Sequence, residues 1–155
     1  MTDLFTSIEG STLAAWVRES PSIWAYATIL TLHTVGLAIV VGANVVVDLR
    51  LLGWANGIPT ESLRALFPIM WAGFAINFAS GVLLFMADAT TKSGQRVFYV
   101  KLACITLALL AARTISKRLR QQDGEAVPGN LRALATVSLL LWAGAIVAGR
   151  LMAYL

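Results

Sequence analysis

The chain has 155 residues, 58% of them hydrophobic and 13% charged, with a mean hydropathy of +0.76. Soluble domains carry about 25% charged residues, so this composition excludes a disordered chain and argues against a water-soluble monomeric globule. The net charge is +4, but the basic residues flank apolar runs, as in membrane proteins, and no nucleic-acid-binding motif is present. One cysteine, Cys104, and one histidine, His33, exclude an intramolecular disulfide and a closed Cys/His zinc site.

Residues 1–20 mix apolar and charged side chains, with Leu13, Trp16 and Val17 on one helical face. They read as an interfacial amphipathic segment broken near Gly10. Ser20-Pro21 reads as a helix start, with Ser as cap and Pro at the first helical position. The spans are expected at about 22–47, 69–88, 97–116 and 131–154, each near the twenty residues that a bilayer requires. Asn56, Gly57 and Pro59 mark a turn after the first span, and Thr60 is placed to cap a short helix that Pro68 ends or kinks. Residues 88–96 read as a polar loop, and Asn130 as the cap of the last span. Short connections make consecutive spans antiparallel neighbours. The expected fold is all-α: an integral membrane antiparallel four-helix bundle, one domain over residues 1–155.

Lys and Arg counts set the expected orientation. Seven fall on the side of the first and third connections (Arg50, Arg64, Arg113, Lys117, Arg118, Arg120, Arg132) and five on the other (Arg18, Lys92, Arg96, Lys101, Arg150). The protein is therefore expected in the cell inner membrane with both termini outside the cytoplasm.

In lipid the informative residues are the polar ones, because each needs a partner or a wet cavity. His33, Gly36, Val40, Asn44 and Asp48 recur at helical spacing, as do Gly73, Asn77, Gly81, Leu84 and Asp88. At about 1.5 Å per residue, His33 and Asn77 come out near mid-depth. Lys101 and Arg150 lie nearer one boundary, and Trp142 lies deep.

His33 has three readings. It is an interhelical hydrogen-bonder, an axial ligand to haem b, or a proton-relay residue. On the haem reading His33 is the metal ligand, Lys101 and Arg150 meet the acidic edge, and Asn77 and Trp142 line the pocket. A single histidine rules out bis-histidine ligation within one chain, leaving a methionine (Met70, Met86 or Met152), an open position or another subunit. Asp48 reads as a polar helix terminus beside Arg50. No catalytic constellation emerges: there is no nucleophile elbow, P-loop, HExxH or paired intramembrane carboxylates.

The segment HTVGLAIVVGANVVVDLRLLG, residues 33–53, together with Gly149, Arg150, Ala153 and Tyr154 as a G-R-x-x-A-Y motif, resembles an uncharacterised bacterial four-span membrane family. The similarity covers nearly the whole chain and implies the four-span architecture. More distantly, the chain is similar to the copper-resistance D type and to the four-span protoporphyrinogen oxidase families; the early-span histidine of the latter implies a haem or porphyrin role for His33.

Two further classes compete with a haem-binding redox subunit. One is a scaffold or assembly subunit using the small faces Ala38/Gly42 and Ala145/Gly149 against other membrane subunits or a second copy. The other is a small transporter or channel lined by His33, Asn44 and Asn77.

Overall fold

The computed structural model describes residues 2–121 and 127–154. Its elements are α1 (Thr2–Glu9), α2 (Thr12–Glu19), α3 (Ile23–Leu52), α4 (Thr60–Met86), α5 (Ala89–Gly94), α6 (Arg96–Gln121) and α7 (Gly129–Leu151). Helices α3, α4, α6 and α7 are long and apolar enough to cross a membrane. At about 1.5 Å per residue, the 30-residue α3 is longer than a hydrocarbon core is thick.

The surface is what lipid demands. Leu32, Val35, Phe78, Val100, Leu107, Leu140 and Val147 point outward and exposed. The hydroxyls of Thr31, Thr34, Thr106, Thr114 and Thr136 each bond back to the carbonyl four residues earlier. A hydroxyl on an apolar surface has no water to bond, so the helix itself must satisfy it.

The four long helices form a ring of antiparallel neighbours: α3 on α4, α6 on α7, and α3 on α7, with α4 and α6 only lightly joined. Glycines set the α3–α4 crossing. A β-carbon at Gly36 would lie 2.7 Å from the Asn77 backbone nitrogen and 2.9 Å from the Gly73 carbonyl oxygen. One at Gly73 would lie 2.6 Å from Ile39. Only hydrogen fits at either position, and the two backbones meet directly.

The short helices α1, α2 and α5 gather at one end, here the capped end. It also holds the start of α3 and the close of α7. Glu9 accepts hydrogen bonds from the Thr90 amide (2.9 Å) and hydroxyl (2.5 Å), and pairs with Arg18 at 3.3 Å. Arg18 also pairs with Glu19 at 2.7 Å. These contacts tie α1 and α2 to α5. The main core lies toward the opposite, far end, where Val47, Leu51, Leu63, Phe67, Ile115, Leu131 and Trp142 pack together.

Several expected boundaries shift. The first long helix starts at Ile23, with Ser22 as its cap, accepting from the Trp24 amide; Ser20 and Pro21 stand outside it. It extends to Leu52, past the expected 47, and ends where Gly53 turns to φ 92°. There the Gly53 amide bonds Arg50 and the Trp54 amide bonds Leu49, a Schellman closure. Pro68 does not divide the second span: α4 runs unbroken through it. Leu63, Phe67 and Met70 form one buried stripe across the proline, and that packing outweighs the lost backbone bond. Thr60 lies inside α4 rather than ahead of it, and Pro59 holds the cap position. The polar loop contains the short helix α5, and Asn130 lies within α7 rather than capping it.

Candidate functional site

The polar stripe of α3 meets that of α4 at His33. Asn77 donates from Nδ2 to the His33 carbonyl at 2.8 Å, and the Asn77 carbonyl lies 3.0 Å from the imidazole Nδ1. A carbonyl only accepts, so this shorter contact favours the neutral tautomer with the proton on Nδ1 and Nε2 bare, over the longer 3.3 Å approach of the Asn77 Nδ2 donor to the same nitrogen. The Ser80 hydroxyl stands 3.2 Å from the same Nδ1 and donates to the Ile76 carbonyl at 2.6 Å. Gly81 keeps the ring's edge clear, since a β-carbon there would fall 3.0 Å from Cε1. Nε2 makes no hydrogen bond among the described residues. The ring is fixed on one side and open on the other, the arrangement of a ligating histidine oriented by its second nitrogen.

The imidazole borders two cavities, of about 530 and 300 Å³. They share His33, Gly81, Phe85, Phe98 and Lys101 in their walls. The smaller is a slot between α4 and α6, walled by Phe74, Phe78 and Val82 on one side and Leu102, Ile105 and Leu109 on the other. It opens where these two helices are only lightly joined. Phe85 stacks on Phe98 at 5.1 Å at the capped end, and Arg64 donates to the Leu119 carbonyl at 3.0 Å at the far end. Between these contacts the helices stand apart, and exposed Phe78, Val82 and Leu102 give the slot an apolar rim facing outward. The larger cavity runs toward the capped end, past Tyr26, Leu30 and Met152, to a charged mouth of Glu9, Arg18, Asp88 and Lys92.

Lys101 enters both cavities from α6 and makes no ion pair among the described residues. Gly149 on α7 leaves it room, the nearest lysine atom lying 3.5 Å from where a β-carbon would be. At the mouth, the Thr90 hydroxyl and amide hold Glu9 below its ordinary glutamate range, with Arg18 adding to the effect.

The structure therefore brings His33, Asn77 and Lys101 together, and leaves Arg150 and Trp142 apart from them. Arg150 is exposed and lines neither cavity, although its neighbours Gly149 and Met152 do. Trp142 is 2% exposed and sits in the main core. It lies on the inward stripe of Leu131, Ala135, Ser138 and Ala145, which turns it toward the packed interior. Asn44 is buried, bonding the Val40 carbonyl at 2.8 Å, and lines neither cavity.

Of the three candidate methionines, Met152 shares a cavity wall with His33, Met70 is enclosed in the main core, and Met86 lines neither cavity. Phe85 and Phe98 escaped the sequence reading. Their signal was an aromatic facing each end of the 88–96 connection. No group of three or more His, Cys, Asp or Glu residues forms a metal cluster among the described residues. Comparison with protein-family models, curated proteins and solved structures finds no match.

Proposed function

We propose that this chain is a small integral membrane subunit that binds haem b at His33 and takes part in membrane electron transfer, within a larger complex or as a homo-oligomer. The observation that carries the reading is the His33 ring, held through Nδ1 by the Asn77 carbonyl, with Nε2 unbonded between two cavities. The donor set fits the group. A bare imidazole nitrogen suits iron. Met152 is a soft donor in the same wall, and Lys101, which makes no ion pair among the described residues, suits a propionate. Phe85 and Phe98 supply flat apolar walls, and the volumes lie within the range of cofactor pockets.

When bound, haem supplies one-electron redox chemistry. The chain's own part is positional. Asn77 and Ser80 orient the imidazole, Gly81 and Gly149 leave space, and Lys101 balances acidic charge. The apolar rim between α4 and α6 gives a lipid-dissolved ligand a sideways route from the bilayer. In the same reading α1 and α2 lie in the membrane interface over the charged mouth. The protein resides in the inner membrane with both termini outside the cytoplasm, as the Lys and Arg bias favours.

The test is the visible spectrum of the detergent-purified protein mixed with haem. A Soret band at one haem per chain, lost in His33→Ala and weakened in Lys101→Met, supports the proposal. A wild-type spectrum that is the sum of free haem and protein overturns it.

A scaffold role is the second reading. Ala38 and Gly42 favour it: both are exposed on α3, and nothing lies within 4 Å of a β-carbon built at Gly42. The Ala145/Gly149 face offers it no support, since Ala145 is buried and Gly149 faces Lys101.

A further inference from the structure

Away from the His33 slot, α3 carries an acidic residue that nothing described so far uses. Asp48 follows His33 by about 22 Å of helix rise, toward the far end. It is 0% exposed, and neither carboxylate oxygen meets a hydrogen-bond donor among the described residues. The Ser138 hydroxyl faces it from α7, within reach of a weak hydrogen bond but not in good geometry, is fully enclosed, and has no other partner among the described residues. One turn along α7, the Trp142 indole nitrogen is also buried without a partner. One turn back along α3, Asn44 commits its Nδ2 to the Val40 carbonyl, which leaves Oδ1 as an acceptor.

No ion pair reaches Asp48 among the described residues. Of the basic side chains at the same end, Arg50 donates to the Ile58 carbonyl at 2.6 Å and Arg64 to the Leu119 carbonyl, while Arg113, Lys117, Arg118, Arg120 and Arg132 are exposed. Val47 and Leu51, which flank it on α3, and Ala135, one turn from Ser138 on α7, belong to the buried apolar core.

A bare carboxylate enclosed in such surroundings is too costly to persist without a compensating charge. Inside a membrane segment an ionisable residue is a functional site by default. The compensating group must be small, because the surrounding core is closely packed. It must be hard, because the available donors are oxygens, and singly charged, because there is one carboxylate. We propose that Asp48, Ser138 and Asn44 form an internal site for one small monovalent cation, supplied either by water as a proton or by the medium as a sodium-sized alkali ion. The inference is independent of haem at His33.

The experiment compares the unfolding temperature of wild type and Asp48→Asn in detergent. Sodium is exchanged for N-methylglucamine at constant ionic strength, and the series is repeated across pH. Infrared spectra of both proteins are recorded for the carbonyl stretch of a protonated carboxyl. An alkali ion appears as stabilisation by sodium in wild type alone, roughly 3–6 °C per tenfold concentration above the dissociation constant. A proton appears as a protonated-carboxyl band absent from Asp48→Asn, and as wild-type stability that falls with rising pH while the variant's does not. Either result supports the site. If Asp48→Asn does not fold, Ser138→Ala keeps the carboxylate, removes one oxygen, and weakens the sodium response or shifts the band. Equal responses to sodium and pH in wild type and variant, with no variant-sensitive band, overturn the proposal.

Discussion

The two halves of the bundle treat the polar residues of one helix in opposite ways. At the capped end, His33 is hydrogen-bonded on one side and faces a cavity on the other. At the far end, Asp48 is enclosed and pairs with no cation among the described residues, facing only the Ser138 hydroxyl. The surrounding packing makes the difference. Around His33, glycines let α3 and α4 meet backbone to backbone, while α4 and α6 stand apart and leave space. The far half, which holds Asp48, is filled by large aliphatic and aromatic side chains. The outer surface is apolar over both halves, so hydropathy alone does not separate them; the fit between helices does.

The largest effect expected is at Trp142. Replacing it with alanine removes the largest side chain of the far core, and comparable deletions cost about 3–5 kcal/mol. Thermal unfolding in detergent measures the loss. If the halves are as separate as their packing indicates, and His33 seats haem as proposed, the folded fraction of Trp142→Ala binds haem with wild-type affinity. A parallel loss of haem affinity breaks the distinction.

Next comes Gly36→Ala. Its new methyl group would press on the Asn77 backbone nitrogen and the Gly73 carbonyl, neither of which yields as a flexible side chain does. Overpacking of this kind costs about 1–3 kcal/mol. Because the strain falls on the segment that seats the imidazole, haem affinity falls together with stability. Gly42→Ala is the control: it meets open space, so stability is unchanged or rises by some tenths of a kcal/mol through helix propensity. A Gly36→Ala protein as stable as Gly42→Ala would show that the helix crossing is looser than it looks.

The four long helices and their polar stripes were legible because lipid leaves few options: long apolar runs must be helical, and polar residues must face inward. The reading of His33 as an interhelical hydrogen-bonder followed from the same logic, and its partner is Asn77. Asp48 was legible only in part: its place on the inward stripe could be read, but beside Arg50 and before a turn it also resembles a helix end, whereas α3 runs one further turn to Gly53. Arg150 and Trp142 were read by depth, but depth does not fix rotation about the helix axis. A shift of a single residue, from Gly149 to Arg150, turns a side chain from the cavity to the surface. Pro68 misled because its local cost is easily read, whereas the buried stripe that compensates it is spread over Leu63, Phe67 and Met70.

Asn77→Ala probes the seat of the imidazole more gently. It removes the 2.8 Å bond from Nδ2 to the His33 carbonyl but keeps the backbone carbonyl that receives Nδ1. The stability loss is that of one hydrogen bond, about 0.5–1.5 kcal/mol. If the backbone carbonyl orients the ring, haem affinity falls far less than in His33→Ala. A loss as complete as that of His33→Ala, seen in the Soret titration, assigns the orienting role to the Asn77 side chain instead.

The smallest effect is at the mouth, where Glu9 ties α1 to α5. Its carboxylate sits below the ordinary value of 4.5, first because the Thr90 hydroxyl and amide both donate to it and then because Arg18 lies beside it. A depressed acid contributes stability that is fully present above its unfolded value and disappears as pH falls through the folded one. The cap should therefore stay closed at neutral pH and release α1 only at pH below the usual glutamate range. The Thr90 amide resonance reports this directly, titrating with a midpoint below 4.5 in wild type and closer to that value in Thr90→Val, which keeps the amide but loses the hydroxyl. A wild-type midpoint at the ordinary value would mean that the α1–α5 contact is not maintained in solution, leaving the charged mouth of the larger cavity uncovered while the slot between α4 and α6 stays as it is.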